Sequence, residues 1–258
     1  MIPYFEIYSF NLGPVTINVW GFFIALAFLA ATLLGYREAK RRGLAGESVL
    51  DLAIVILIAS LIGGRIFYVF NEWGYYHDNL IEALKIWEGG LGIYGGFIGA
   101  VLAGWAYLRL KKLPFWTFAD AIGFVLPLGL AIGRIGCFLI HDHLGRITAL
   151  PWGIKTADGT IRHETALYEI VFGLVVFGLF VWLRNKPWFQ KQTGRLILVF
   201  FVLYGLFRFF SDMLRATDLP GSDPVVWLGL HPSQFFSLGA IAIGLLALFL
   251  KRKAKQAG

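Results

Sequence analysis

Residues Val49–Phe70 read V-L-D-L-A-I-V-I-L-I-A-S-L-I-G-G-R-I-F-Y-V-F, an apolar run interrupted by Asp51 near its start and Arg65 towards its end. A membrane core about 30 Å thick is crossed by a helix of about 20 mostly apolar residues. The run therefore predicts a transmembrane helix. The same test finds seven such segments in the chain: Ile17–Tyr36, Val49–Phe70, Leu91–Leu108, Phe115–Ile140, Ala166–Leu183, Leu196–Met213 and Pro232–Leu250.

The composition supports a lipid environment for these segments. The chain is 58% hydrophobic and 15% charged, whereas soluble domains carry about 45–50% apolar and about 25% charged residues. We therefore predict an all-α, polytopic integral membrane protein. One transmembrane domain is predicted over residues 1–258, with outer-face loops at about 71–90, 141–165 and 214–231. The first 14 residues lack the basic start of a signal peptide, so no cleaved targeting segment is predicted.

Basic residues mark alternate connections between the segments, which sets the predicted orientation. They are Arg37, Lys40, Arg41 and Arg42; Arg109, Lys111 and Lys112; Arg184, Lys186, Lys191 and Arg195; and Lys251, Arg252, Lys253 and Lys255. Cytoplasmic loops carry the excess of Lys and Arg, so the N-terminus is predicted outside and the C-terminus inside. The net charge of +7 is thus explained by topology and by anionic membrane lipids, and no nucleic-acid partner is predicted.

Three segments admit a second interpretation. The third span opens with Gly89-Gly90 and is rich in glycine, so a re-entrant segment is an alternative to a full crossing. The fourth contains Pro127, which favours a kink or a break in the helix. Residues Asn71–Glu88 have the composition of an amphipathic helix lying on the outer surface.

Arg65, Arg134 and Arg208 lie inside the second, fourth and sixth predicted spans. A charge at the centre of a membrane helix costs about 2.5–3.5 kcal/mol on insertion scales, so such residues usually serve a function. Snorkelling to the nearby outer interface is the alternative explanation. Because Arg65 and Arg134 follow glycines, we favour an anion site. In a bilayer, the obvious anion is a lipid phosphate.

Three stretches carry polar or glycine patterns beyond simple spans. Leu91–Ala100 contains glycines at GxxxG spacing, which is typical of close helix packing. Gly133–Arg146, G-R-I-G-C-F-L-I-H-D-H-L-G-R, runs from an apolar span into a polar loop. Tyr204–Arg215 places four polar residues on one helix face: Tyr204, Arg208, Asp212 and Arg215. The histidines, His77, His141, His143, His163 and His231, all fall on the predicted outer side.

With these motifs, the chain resembles the bacterial prolipoprotein diacylglyceryl transferase family. The resemblance extends from Trp20-Gly21 to Pro232-Ser233-Gln234. Its motifs are G-G-R at Gly63–Arg65, G-G-L-x-x-Y-G-G at Gly89–Gly96, G-R-x-G at Gly133–Gly136, L-P-W-G at Leu150–Gly153, H-x-T-x-L-Y-E at His163–Glu169 and Y-G-x-x-R at Tyr204–Arg208. Each motif is weak alone, whereas their order, spacing and shared topology are specific.

The resemblance implies an enzyme of the bacterial inner membrane. It would transfer the diacylglyceryl group of phosphatidylglycerol to the lipobox cysteine of a preprolipoprotein, with glycerol phosphate leaving and a thioether forming. No metal or cofactor is implied. The implied catalytic residues are Arg134, Arg208 and Tyr94, and the candidate substrate-binding residues are Arg134, Tyr204, Arg65, His141 and His143.

Two departures from the family pattern concern the catalytic chemistry. Tyr94 stands where the family usually has a histidine that is the candidate base, and Cys137 stands where it usually has asparagine. A tyrosine with a pKa near 10 is a poor base at neutral pH. The base therefore stays open between His141, His143 and no dedicated group. Cys137, the only cysteine, lies in an apolar segment and is predicted to be a packed residue rather than a nucleophile.

Two other functions are compatible with the departures. One is a transporter of anionic lipids or solutes, for which the expected repeat with paired broken helices is not evident in the sequence. The other is a catalytically inactive paralogue that binds lipid or lipoprotein.

Overall fold

The computed structural model describes residues 2–190, 193–219 and 225–256. Lys191 of the predicted cytoplasmic connection, and residues 220–224 of the third predicted outer loop, lie outside this range. In chain order the elements are β1 (Ser9–Leu12), β2 (Val15–Asn18), α1 (Val19–Arg41), α2 (Glu47–Asn71), α3 (Trp73–Tyr76), α4 (Ile93–Leu110), α5 (Phe115–Ile140), β3 (Leu144–Ile147), β4 (Ile154–Lys155), β5 (Ile161–Glu164), α6 (Thr165–Leu183), α7 (Pro187–Gln190), α8 (Arg195–Asp212) and α9 (Pro232–Gln256).

The mostly helical membrane fold is confirmed, because a helix occupies each of the seven predicted segments. Within the described residues, six helices are long and apolar enough to cross a membrane: α1, α2, α4, α5, α6 and α9. The remaining long helix, α8, carries Arg195, Arg208 and Asp212 within 18 residues. The predicted count of seven crossings and the predicted orientation stay predictions.

The structure differs from the sequence prediction in three local features. The helix α5 is continuous through Pro127, which excludes a break there, whereas the alternative of a kink stays a prediction. Residues Asn71–Glu88 do not form one amphipathic helix; they form α3 and two short 3₁₀ turns, Glu82–Leu84 and Ile86–Glu88. In the part of the chain that the structure describes, five short strands in two small antiparallel sheets add to the predicted helices.

The chain divides into two compact units, Met1–Leu34 with Ala119–Gly258 and Gly35–Phe118. The prediction of a single domain over residues 1–258 stays a prediction. The first unit contains both sheets: the β1–β2 hairpin and a three-stranded sheet in the order β3-β5-β4. Its buried aliphatic and aromatic core lies on α5, α6, α7 and α8 and consists of Phe124, Val125, Val176, Phe180, Phe189, Leu196, Ile197, Leu198 and Phe200.

The second unit is held together by glycines at the contact between α2 and α4. A Cβ atom on Gly63 would lie 2.4 Å from the carbonyl oxygen of Gly95, and one on Gly99 would lie 2.4 Å from that of Ala59. Such distances exclude any larger side chain without backbone movement. The GxxxG interpretation of Leu91–Ala100 is therefore confirmed. The helix α4 has 18 residues and is long enough to cross a membrane, and whether it crosses fully or is re-entrant stays a prediction.

Candidate active site

A buried ion-pair network joins three helices of the first unit. Arg134 lies on α5, Glu169 on α6 and Arg208 on α8. Nε of Arg134 donates to Oε2 of Glu169 at 2.8 Å, and Nη1 of Arg208 donates to Oε1 of the same carboxylate. The Glu169 side chain is 1% exposed. One carboxylate thus holds two guanidinium groups, one on each oxygen; we call these three residues the arginine cluster.

A second buried carboxylate extends the arginine cluster along α8. Oδ1 of Asp212 lies 3.1 Å from Nη2 of Arg208 and 3.1 Å from Nε of Arg215. Asp212 is fully buried. The formal charges of the three arginines and two carboxylates leave one surplus positive charge. These contacts bring Arg208, Asp212 and Arg215 together, as predicted from one helix face, although α8 ends at Asp212 and Arg215 follows it.

Because these arginines and carboxylates are buried, the stability of the site depends on the balance between their charges. Removing one partner of a buried ion pair typically costs 3–5 kcal/mol, because the remaining charge is left without compensation. Arg134 and Arg208 retain only 18% and 11% of their side-chain exposure. A single surplus positive charge at such a site favours an anion with one negative charge, and arginine binds phosphate oxygens in pairs.

Glycines on both sides of Arg134 explain how α1 packs beside it. A Cβ atom on Gly136 would lie 3.1 Å from Cα of Trp20 and 3.1 Å from Cβ of Phe23, both on α1. The corresponding contact of Gly133, with Ile24, is looser at 3.4 Å. The G-R-x-G motif therefore combines a charged side chain with a surface small enough for close helix packing.

Tyr204 lies one helical turn before Arg208 on α8. Its ring stacks on Phe200, with centroids 5.6 Å apart and planes inclined by 11°, and tilts against Phe172 at 6.2 Å. These contacts fix the ring among aromatic neighbours on α6 and α8. Its proposed role in orienting Arg208 or the substrate stays a prediction.

Cys137 connects the arginine cluster to the loop that follows α5. Its Sγ atom lies 3.5 Å from Nη1 of Arg134. Nδ1 of His143 contacts Oδ1 of Asp142. Burial lowers the pKa of His143, but hydrogen bonds with Asp142 and Cys137 outweigh it and raise this pKa above its ordinary value.

His141 occupies a different environment from His143. Nδ1 of His141 and Oε2 of Glu164 are 2.6 Å apart, and both side chains are 1% exposed. Tyr4 stacks on the imidazole at 5.2 Å, while Phe5 and Phe138 meet it edge-on at 5.1 and 5.5 Å. Burial raises the pKa of Glu164, although its hydrogen bond with His141 lowers it in part. This enclosure gives His141 a buried carboxylate partner. Its predicted substrate binding, and its candidacy as the base, stay predictions.

The guanidinium group of Arg65 donates hydrogen bonds to backbone carbonyl groups of the second unit. Its Nε donates to Ala83 at 2.8 Å, Nη1 to Gly89 at 2.6 Å and to Gly90 at 3.1 Å, and Nη2 to Glu82 at 2.7 Å. Gly89 and Gly90 have φ angles of 87° and 74°, which glycine adopts without strain. These contacts give Arg65 a structural role in fixing residues 82–90. Its predicted binding of substrate is untested.

Tyr94 lies in the first turn of α4, also in the second unit. The ring packs edge-on against Phe67 at 6.1 Å, and 42% of the residue is exposed. Its predicted catalytic role stays a prediction.

Glu169 is the residue of the cluster that sequence reasoning did not assign. It belongs to the H-x-T-x-L-Y-E motif and is the fourth residue of the predicted span Ala166–Leu183. An ionisable residue inside an apolar span is a functional candidate with an oppositely charged partner. The rule that identified Arg134 and Arg208 would therefore also have identified Glu169 as a candidate, although not which arginines it contacts.

Comparison with known proteins gives one consistent family. Residues 8–250 match the family model described as prolipoprotein diacylglyceryl transferase. A protein of Clostridioides difficile (strain 630) named phosphatidylglycerol–prolipoprotein diacylglyceryl transferase is 36% identical over 249 residues, which cover 96% of each chain.

Relatives of the same name come from other bacteria. The protein of Pediococcus pentosaceus is 35% identical, with 96% of this chain and 91% of that protein covered. The protein of Geobacillus kaustophilus is 36% identical, with 95% and 92% covered. The family model matches nearly the whole chain, and the named relatives are 35–36% identical to it. The chain therefore belongs to the prolipoprotein diacylglyceryl transferase family.

Proposed function

We propose that this chain transfers the diacylglyceryl group of phosphatidylglycerol to the lipobox cysteine thiol of preprolipoproteins, at the outer face of a bacterial inner membrane. The relatives carry this activity in their names. The observation that supports it most is the arginine cluster, in which the buried Glu169 holds Arg134 and Arg208 together.

The reaction exchanges one bond at a glycerol carbon of the lipid. The substrate thiolate attacks the carbon that carries the phosphate, a carbon–sulfur bond forms, and the carbon–oxygen bond to phosphate breaks. Glycerol phosphate leaves with the electron pair of that bond. The thiol proton goes to solvent or to the departing phosphate. No oxidant or co-reactant is needed.

The charge of the site suits this leaving group. A phosphodiester carries one negative charge, which the surplus positive charge of Arg134, Arg208 and Arg215 over Glu169 and Asp212 would neutralise. The phosphate gains negative charge as the carbon–oxygen bond breaks. Fixed guanidinium groups would therefore bind the departing phosphate more strongly than the bound lipid, which lowers the barrier.

Glu169 acts in this site by positioning Arg134 and Arg208. It fixes the directions of two flexible arginine side chains before the lipid binds, so less ordering is required during the reaction. The remaining donors of each guanidinium group are left for phosphate oxygens. Tyr204, one turn before Arg208, would orient this arginine or the lipid headgroup.

Activation of the thiol requires less help than activation of a hydroxyl. A free cysteine has a pKa of about 8.5, so part of it is ionised at neutral pH. Nearby guanidinium groups favour the thiolate further. We therefore propose that no dedicated base is needed and that the hydroxyl of Tyr94 positions the lipid phosphate or ester. His141 and His143 are the alternatives as a base.

The test is a transfer reaction with defined components. Purified protein in phosphatidylglycerol vesicles is incubated with a lipobox peptide, and the peptide mass and released glycerol phosphate are measured. We expect equal amounts of diacylglyceryl peptide and glycerol phosphate, and no product from a peptide with serine in place of cysteine. Lipid movement between leaflets without a change in peptide mass would indicate a transporter. Peptide or lipid binding without product would indicate an inactive paralogue. Either result would overturn the proposal.

A further inference from the structure

Three potential metal ligands converge at the end of α5. The Sγ atom of Cys137, a carboxylate oxygen of Asp142 and a ring nitrogen of His143 all lie within 4.8 Å of one another. Cys137 is buried, His143 is half-buried and Asp142 is exposed. An ion could therefore enter from the exposed side and meet a ligand in the interior.

The backbone explains why residues five and six positions after Cys137 return to it. The helix α5 ends at Ile140, and His141 has a φ angle of 50°, a left-handed conformation that reverses the chain. The carbonyl oxygen of His143 accepts a hydrogen bond from Oγ1 of Thr165 at 2.6 Å. The turn is thus fixed at both ends, and the three ligands are held by a loop of defined conformation.

The donor set matches a specific class of cation. Sulfur, imidazole nitrogen and carboxylate oxygen together suit Zn²⁺ and chemically similar divalent ions, whereas Mg²⁺ and Ca²⁺ prefer oxygen alone. Around a tetrahedral Zn²⁺, such ligands stand about 3.4–3.6 Å apart, as follows from bond lengths of about 2.0–2.3 Å. The three ligand atoms lie within 4.8 Å of one another, and a carboxylate oxygen of Asp142 contacts Nδ1 of His143 directly. Rotation of the exposed Asp142 and the half-buried His143 would open this contact to the spacing of ligands around an ion.

We propose that Cys137, Asp142 and His143 form a binding site for a Zn²⁺-like divalent cation, with the fourth coordination position open. The test of this site is a metal titration that does not depend on transfer, so its failure can be distinguished from failure of the proposed function. Arg134 lies 3.5 Å from the sulfur and would compete with the cation. Glu169 holds Nε of Arg134 at 2.8 Å, so this arginine keeps an anionic partner when the ion takes the sulfur.

The test is a titration of the purified, detergent-solubilised protein with Co²⁺, a spectroscopic substitute for Zn²⁺. Binding through sulfur produces a thiolate-to-cobalt charge-transfer band. Because the chain has one cysteine, any such band in this protein arises from Cys137. We expect one Co²⁺ per chain and loss of the band on addition of Zn²⁺ but not of Mg²⁺. Absence of the band at saturating Co²⁺, or its loss with Mg²⁺, would overturn the proposal.

Variants identify the other two ligands. We expect H143Q and D142N each to weaken Co²⁺ binding at least tenfold. The matched control is H77Q, because Nε2 of His77 also lies near an adjacent aspartate, 3.0 Å from Oδ2 of Asp78, in a loop without cysteine. Circular dichroism checks that each variant is folded. If H143Q does not fold, D142N still tests the site, because Asp142 is exposed. Equal affinities of the parent and D142N would contradict the three-ligand site.

Discussion

Glu169 is the residue on which the geometry of the arginine cluster depends. Replacing it with Gln keeps the size and one acceptor oxygen but removes the charge that holds Arg134 and Arg208. We expect Glu169→Gln to lower kcat about 100-fold, as misplacement of reacting groups does, with KM unchanged or lower because the site is more positive. Steady-state kinetics on folded, purified protein measures both constants.

The Ala variant separates positioning from folding. Glu169→Ala leaves two buried guanidinium groups without their shared anion, which costs about 3–5 kcal/mol of stability. A large loss of Tm is therefore expected for Glu169→Ala and a smaller one for Glu169→Gln. A Glu169→Gln protein with parental kcat would show that Glu169 has no positioning role.

Arg65 is expected to matter for stability rather than for chemistry. Its guanidinium group donates to the carbonyl groups of Glu82, Ala83, Gly89 and Gly90. Hydrogen bonds with a charged partner contribute about 1.5–3 kcal/mol each, so Arg65→Ala should lower the free energy of unfolding by at least about 2 kcal/mol. Thermal unfolding in detergent measures this, with Arg109→Ala on the exposed end of α4 as the control.

The kinetics complete the test of Arg65. The protein that remains folded should keep a KM for phosphatidylglycerol close to that of the parent. A stable Arg65→Ala protein with a greatly raised KM would instead support the substrate-binding role that the sequence suggested.

At the residue level, the sequence shows which charged residues are costly to place in a membrane, but it does not show which residues they pair with. Arg134 and Arg208 stand out because a charge in an apolar span requires a reason. The bridging role of Glu169 depends on how α5, α6 and α8 pack together, which no local pattern encodes. The enclosure of His141 likewise depends on Tyr4 and Phe5, which are distant in sequence.

Among the elements, α2 and α4 show most directly how glycine spacing determines packing. A Cβ atom on Gly95 would lie 2.2 Å from the carbonyl oxygen of Gly63. Gly95→Ala should therefore lower stability by about 1–3 kcal/mol through overpacking. Thermal unfolding in detergent measures the change.

The control for Gly95 is a helical glycine in open surroundings. A Cβ atom on Gly178 of α6 would meet nothing within 4 Å. Gly178→Ala should be neutral or slightly stabilising, because alanine has the higher helix propensity. Equal effects of the two substitutions would show that packing at Gly95 is not responsible.

Helices were predictable because apolar runs of the required length are a strong signal. The strands were not, because pieces of two to four residues such as β4 and β5 are too short to show a two-residue period. Of the kink or break predicted at Pro127, the break does not occur, for a different reason. Neighbouring helices in a membrane protein can accommodate a proline, and α6 approaches closely enough that a Cβ on Gly173 would lie 2.5 Å from the Pro127 oxygen.

For the whole molecule, the open question is whether α8 crosses the membrane. Seven crossings with the N-terminus outside predict a cytoplasmic C-terminus, whereas loss of one crossing would place the C-terminus on the same side as the N-terminus. Reporter fusions after Arg42, Lys112, Lys191 and the C-terminus should report the cytoplasm, and those near Glu82, Asp158 and Asp223 the outside. Lys191 and Asp223 lie outside the described residues. A C-terminal reporter on the outside would contradict the seven-span topology.

The central claim is that the arginine cluster binds and stabilises the departing phosphate. Its most direct test is the initial rate of diacylglyceryl transfer to a lipobox peptide, measured by peptide mass, for Arg134→Ala and Arg208→Ala. Removing a donor to a developing anion typically costs about 2.7–4 kcal/mol, or about 10²–10³ in rate. We expect losses of at least this size for both variants. The exposed Arg37→Ala protein is the control and should keep the parental rate. Parental rates in folded Arg134→Ala or Arg208→Ala protein would contradict the claim.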